Sequence, residues 1–287
     1  IHHHDFAGQS ADQPRAHLAK DLVVAVPGRL AVEMGLDRLP GLARELVRQD
    51  VDAMVVVTVS AVEAAMAATT TIPIIIWGNF DPVALKFVAS FARPGGNVTG
   101  VLIAPDGTLG VKKLELLKEA VPRARRIGVL APQDANTMRM QLPELERAAP
   151  PLGLELAVVS VRDNDYARAF ATLAARKPDA LFVAATTFFM TDREPIIDLT
   201  LQHRLPSIWE WREQVEAGGL MAYGTSLAAR IGRIADYVDR IFRGSSPAEI
   251  PIDQPAKFEL SVNVATAKAI GLALPPAFLL RVDEVIS

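Results

Sequence analysis

The residues of this chain best placed to hold a small molecule are the polar and aromatic ones that follow its apolar runs directly. In open parallel sheets, ligands sit beyond the carboxyl ends of strands and at helix N-termini. That rule selects Thr58, Ser60 and Ala61, then Trp77, Asn79 and Asp81, then Gln133, Asn136 and Thr137, then Thr186 and Thr187, and last Trp209, Glu210 and Trp211. A helix opening at Thr58 to Ala61 presents free N–H groups and hydroxyls, which suit a carboxylate; Ser60 equally serves as an ordinary helix cap. Asn136 and Thr137 offer the same device later in the chain. Asp81 and Glu210 are candidate partners for an ammonium group, although Asp81 stands before Pro82 and reads equally as a plain N-cap. All three tryptophans, Trp77, Trp209 and Trp211, fall at strand ends. Such rings either stack on a flat ligand or close the hydrophobic core. Two residues apart on one strand, Trp209 and Trp211 are expected to share a face, with Glu210 turned away.

Several chemistries are excluded. The chain has 0 cysteines, so it carries no disulfide, thiolate metal site or thiol nucleophile. No G-x-G-x-x-G follows a strand, and no Walker A loop or G-x-S-x-G elbow occurs. Gly95-Gly96 follows a helix and precedes a strand, the wrong side for a dinucleotide. His203 is the histidine that lies outside the first 17 residues, and it ends a helix, where the dipole favours it. The opening Ile1-His2-His3-His4 reads as a tag remnant, not a metal site. Acid–base chemistry would therefore rest on carboxylates alone, with Asp81 and Glu210 the one pair available. A hydrolase built on them is the weakest alternative, and no catalytic residue, metal or cofactor is expected. The net charge of -3, without a long basic run, gives no footing for nucleic acid. No run of 18 apolar residues exists, so no bilayer span is expected.

The elements that must position these residues alternate. With 287 residues, the chain exceeds one compact unit of about 100–200 residues. Leu22–Val26 reads as an isolated strand, and from Leu36 onward the pattern is regular. Helices are expected at Arg38–Gln49, Ala61–Thr69, Pro82–Ala92, Leu109–Ala120, Asn136–Ala149 (interrupted by Pro143), Tyr166–Arg176, Asp192–His203, Ser226–Arg243 and Ala265–Ile270. Strands are expected at Val51–Thr58, Ile72–Trp77, Asn97–Ile103, Arg126–Ala131, Leu154–Val161, Ala180–Ala184, Ser207–Trp211 and Gly219–Tyr223, with an exposed-face strand at Lys257–Asn263. Such alternation predicts an α/β fold of parallel sheets covered by helices. Two flavodoxin-like lobes fit the strand number, with the transition near Ala104 to Gly110.

The stretch Ala92–Gly100 (ARPGGNVTG) resembles the signature of a family of ABC-transporter substrate-binding proteins, the one that includes tryptophan and tyrosine receptors. Further segments match it in order: IPIII followed by Asp81-Pro82, KKLELLKEAVP at Lys112–Pro122, EAGGLMAYG at Glu216–Gly224, and PAKFELSVNVATAKAIGLALPP at Pro255–Pro276. The likeness runs from about Asp37 to the end, and the first 35 residues depart from it. The resemblance implies a type I periplasmic-binding-protein fold: two Rossmann-like lobes joined by three crossings, with ligand between them. It implies crossings near Gly100–Ala104, Met221–Thr225 and Ser261–Val264. Residues 1–103 plus 225–260 would form lobe 1, and 104–224 plus 261–287 lobe 2. Tyr223 would then lie in a crossing strand, its hydroxyl either reaching the cleft or packing in the hinge.

The expected function is a non-enzymatic solute receptor of an ABC importer. It would capture a carboxylate-bearing ligand, an amino acid or related compound, an aromatic one included, by lobe closure. The partners would be that small molecule and a membrane permease, with no nucleic acid, and the protein a monomer, exported to the periplasm or anchored at the cell surface. The ligand-binding domain of a signalling or regulatory protein, which uses the same fold, is the alternative.

Overall fold

The computed structural model describes residues 22–24, 38–104, 108–132, 135–255 and 257–287, with backbone alone at 22–24, 135–140 and 187. Four parallel strands form the first sheet in the order β1 (Leu22–Val24), β2 (Ala53–Val56), β3 (Ile74–Gly78) and β4 (Val98–Leu102). The continuous apolar runs of β2 and β3 are buried on both faces, and the two-residue period of the strand sorts them. Met54, Val56, Ile74 and Ile76 pack on one side with Val62 and Ala65 of α2 (Val59–Ala68) and with the flanking Leu46 and Val47 of α1 (Leu39–Arg48). Ala53, Val55, Ile75 and Val101 pack on the other, against Tyr237, Val238 and Ile241 of a long helix, Leu227–Phe242.

The second sheet has seven strands, β5 (Arg126–Ala131), β6 (Glu155–Ser160), β7 (Ala180–Val183), β8 (Ser207–Trp209), β9 (Met221–Gly224), β10 (Glu259–Asn263) and β11 (Glu284–Ile286), in the order β11-β10-β9-β8-β7-β5-β6. All pairings are parallel except β9 with β10. Its helices are α3 (Thr108–Ala120), α4 (Ala135–Ala148), α5 (Tyr166–Ala175), α6 (Thr187–Thr191), α7 (Arg193–Gln202), α8 (Arg212–Glu216), α10 (Val264–Ala269) and α11 (Pro276–Leu279), the long helix being α9. The order reverses at β5, whose neighbours are β6 and β7, which places a crevice outside the carboxyl ends of β5 and β7. The chain passes between the sheets after β4, after β9 and before β10. Among the described residues no helix is long and apolar enough to cross a membrane.

Four expectations are corrected. Pro82–Ala92 is a string of turns: one helical bond, Leu85 N–H to the Asp81 carbonyl, is followed by Lys86 at φ 61°, which reverses the chain. The Ser207–Trp211 strand stops at Trp209, because the Gln214 side-chain oxygen takes the N–H groups of both Glu210 and Trp211 and turns the chain into α8. Lys257–Asn263 is not an exposed-face strand: β10 lies between β9 and β11, and Leu260 to Asn263 are buried. The third crossing falls before Glu259 instead of at Ser261–Val264, since Asp253 is still bonded to Gly100 and Leu102 of β4 while Ser261 already pairs with Ala222 of β9.

Candidate functional site

Residues from both sheets meet at the carboxyl ends of β3, β4, β8 and β9. Ile103, Ala104, Leu109 and Trp211 are buried there, with Trp77, Met190, Tyr223, Leu227 and Phe258 packed against them. Trp77 comes from β3 of the first sheet and Trp211 from the start of α8 on the second, so the aromatic cluster spans the junction. Tyr223 of β9, just before the second crossing, and Phe258, on the third, stack with ring centroids 5.8 Å apart. A side chain at position 224 would break this arrangement, since a Cβ there would lie 2.0 Å from the Glu210 carbonyl oxygen. Gly100 is required in the same way, its Cβ falling 2.1 Å from the Ile76 carbonyl oxygen.

The polar groups around this cluster are incompletely bonded. Among the described residues, seven solvent-shielded side-chain atoms lack a hydrogen-bond partner: Trp77 Nε1, Asn79 Oδ1, Arg193 Nε, Glu210 Oε1, Glu213 Oε2, Thr225 Oγ1 and Arg230 Nε. Trp77 lies in the last two residues of β3, Asn79, Glu210 and Thr225 follow β3, β8 and β9 directly, and Glu213, Arg230 and Arg193 lie in the first turns of α8, α9 and α7. An unsatisfied buried polar atom costs about 1–3 kcal/mol, and folded proteins leave few of them. Their concentration at one junction marks where the molecule has given up stability. The set mixes donors (Trp77, Arg193, Arg230) with acceptors (Asn79, Glu210, Glu213) and one hydroxyl.

The remaining sequence-selected residues fall as follows. Thr58, not Ser60, caps α2, its Oγ1 accepting the Ala61 N–H at 3.2 Å. Ser60 stands one residue into that helix and is bonded elsewhere. Asp81 caps its own turn, Oδ1 accepting from Val83 at 2.8 Å and Ala84 at 3.0 Å. Thr186 caps α6. Gln133 and the side chains of Asn136, Thr137 and Thr187 lie outside the described residues, although the backbone places Asn136 and Thr137 in the first turn of α4, just past the end of β5. Trp209 does not share a face with Trp211. It is fully buried in the core of the second sheet, its indole N–H donating to Ser207 Oγ at 2.9 Å, because the strand ends with it and the alternation stops.

Glu210 is buried as well, and paired with a lysine that the strand-end rule did not select. Its Oε2 lies 3.0 Å from Lys113 Nζ, with both side chains 1% exposed, and Lys113 also sits 4.6 Å from the centre of the Phe182 ring. Lys113, Thr225, Met190 and Arg193 were missed. Lys113 was legible: Leu109, Lys113, Leu116, Leu117 and Ala120 share the buried stripe of α3, so a lysine occupies an apolar position of a helical period. Beside the second crossing, Asp253 takes Arg230 at 2.7 Å and Arg233 at 3.1 Å. Burial works to lower the Arg233 pKa, and the hydrogen bond and charge of Asp253 outweigh it and raise it. Burial first, and Asp253 second, raise the Tyr237 pKa; its hydroxyl donates to the Pro251 carbonyl at 2.6 Å.

The comparisons agree with this architecture. A family model described as ABC transporter substrate binding protein matches residues 34–286. A tyrosine-binding protein of Clostridioides difficile (strain R20291) is 24% identical over 231 residues, which make up 80% of this chain and 66% of that protein. Among solved structures, the ABC domain in complex with L-Trp from Streptococcus pneumonia superposes with a TM-score of 0.76 at 22% identity, covering 88% of this chain and 86% of that one. A conserved domain protein from Vibrio cholerae O1 biovar eltor gives 0.77 at 26% identity, covering 88% and 84%. The fold is the two-lobed type I periplasmic-binding-protein fold.

Proposed function

Since the chain belongs to the ABC transporter substrate binding protein family, we propose that it is the solute receptor of an ABC importer and takes an amino acid or a related carboxylate between its lobes. The first lobe would comprise residues to 103 with 225–258, and the second 104–224 with the rest. One observation carries this reading: the unpartnered buried atoms collect at the junction of the two sheets, around an aromatic cluster built from both. A ligand with a carboxylate at one end and an ammonium at the other supplies an acceptor and donors together, which matches the mixed inventory of the site. The rings of Trp77, Trp211 and Tyr223 favour an aromatic side chain, and the neighbours that bind tyrosine and tryptophan support the same class. The positive N-terminal ends of α2 and α4 would hold the carboxylate, with Ser60, Asn136 and Thr137 beside them.

Binding would stabilise the closed arrangement of the lobes, because only there do groups from both sheets reach one molecule. A membrane permease would then read that state, with the receptor in the periplasm or anchored at the cell surface. No bond is made or broken in this role.

The test is a thermal-shift screen against the twenty amino acids and aromatic carboxylates, followed by calorimetric titration. A ligand at 100 times its Kd adds about 2.7 kcal/mol to stability, so a true ligand raises the melting temperature clearly. Absence of any shift across the panel would overturn the proposal.

A further inference from the structure

We infer that Glu210 reads the ammonium group of the ligand, with Lys113 as its fixed counter-charge, so that the receptor separates amino acids from the same acids lacking nitrogen. This rests on the receptor reading above. Lys113 and Glu210 are the charged residues among the buried polar residues of the described chain, 1% and 2% exposed. Only half of Glu210 is used: Oε2 meets Lys113, and Oε1 is shielded and unpartnered. A buried ion pair is a poor stabiliser, and apolar replacements of similar volume are often no worse. A pair kept with one carboxylate oxygen idle is poorer still. Its position points to the ligand: the Glu210 backbone lies against Gly224 at the end of β9, followed by Thr225, whose buried hydroxyl is also unpartnered.

The other carboxylates at the junction are committed or more exposed. Asp81 Oδ1 caps its turn, Asp192 accepts the Tyr166 hydroxyl at 2.7 Å, and Glu213 is only half-buried. Glu210 is therefore the acceptor for a buried cation. The charges also close. Lys113 and Glu210 cancel, so a zwitterion, itself neutral, adds no net charge to a dry site. A nitrogen-free carboxylate brings a second negative charge to Glu210 and leaves Oε1 unpaired. Sites built around a hydrogen-bonding group reject analogues that lack it by large factors, and a preference on the order of 100-fold or more is expected.

The experiment is calorimetric titration of the full chain with each of the twenty L-amino acids and, for every one that binds, with its 2-deamino acid (3-indolepropionate for tryptophan, 3-(4-hydroxyphenyl)propionate for tyrosine). The wild type should prefer the amino acid by about 100-fold, and Glu210→Gln should cut that ratio by about tenfold or more. The double variant Lys113→Met/Glu210→Gln, which buries no lone charge, should show the same loss of discrimination if the single variant does not fold. Two results would overturn the inference alone, leaving the receptor reading intact: a wild-type ratio near one, or a ratio that both variants leave within about twofold of the wild type. Binding of no amino acid at all would overturn both.

Discussion

Replacing Lys113 with methionine keeps most of the volume of the side chain and removes its charge. Glu210 is then left as a carboxylate 2% exposed, with neither oxygen paired. Breaking a buried pair from one side costs roughly 3–5 kcal/mol, since the remaining charge keeps its desolvation penalty and loses its compensation. The contact of Lys113 Nζ with the Phe182 ring, at 4.6 Å, is lost as well and adds up to about 1 kcal/mol. For a chain of this size each kcal/mol moves the melting temperature by about 2–4 °C, so Lys113→Met should melt roughly 6 °C or more below the wild type. Adding Glu210→Gln removes the stranded charge. The double variant should therefore recover at least about 2 kcal/mol relative to Lys113→Met, measured by calorimetry or urea unfolding without ligand. If Lys113→Met melts with the wild type, or the double variant is no more stable than the single one, the pair is not a desolvated ion pair and the electrostatic reasoning fails.

Other residues give independent tests. Gly224→Ala sets a Cβ 2.0 Å from the Glu210 carbonyl; overpacking of this kind costs about 1–3 kcal/mol, and the displaced crossing strand should weaken ligand binding in the same titrations. Thr58→Ala removes the cap of α2 and should cost about 1 kcal/mol in urea unfolding. Asp179 accepts the N–H groups of Arg125 and Arg126 at 2.7 and 2.8 Å. Burial acts to raise its pKa, but these bonds outweigh burial and lower it. Its stabilisation is thus present above the ordinary carboxylate pKa and fades as pH falls through the folded value. Asp179→Asn should accordingly be less stable at pH 7, and its deficit should shrink towards pH 3.

Much of the architecture was legible because the chain alternates cleanly. β-Branched runs such as Val55–Val56 and Ile74–Ile76 are dictated by burial on both faces, and α9 declared itself by its stripe and by Gly244. Sequence patterns failed where a single long-range bond sets the local geometry. Nothing local in Pro82–Ala92 forbids a helix; the reversal at Lys86 lets Val83, Phe87, Val88 and Phe91 fold back onto the first core. At Trp209 to Trp211 the Gln214 amide ends the strand, so the two rings part company, one to the core and one to the junction. The rule of strand carboxyl ends located Trp77, Asn79 and Glu210 without knowing their partners. It passed over Thr225, which obeys the same rule at the end of β9, because on that crossing strand only the Tyr223 hydroxyl is read as a candidate for the cleft.

The central claim is that one small molecule completes the unpartnered atoms at the junction of the two sheets. A crystal structure of the protein with the amino acid that gives the largest thermal shift tests it most directly. The prediction is density between the lobes, beside the rings of Trp77 and Trp211, with hydrogen bonds to Trp77 Nε1, Asn79, Thr225 Oγ1 and Glu210 Oε1. Ligand density elsewhere on the surface, with those four atoms untouched, would contradict it.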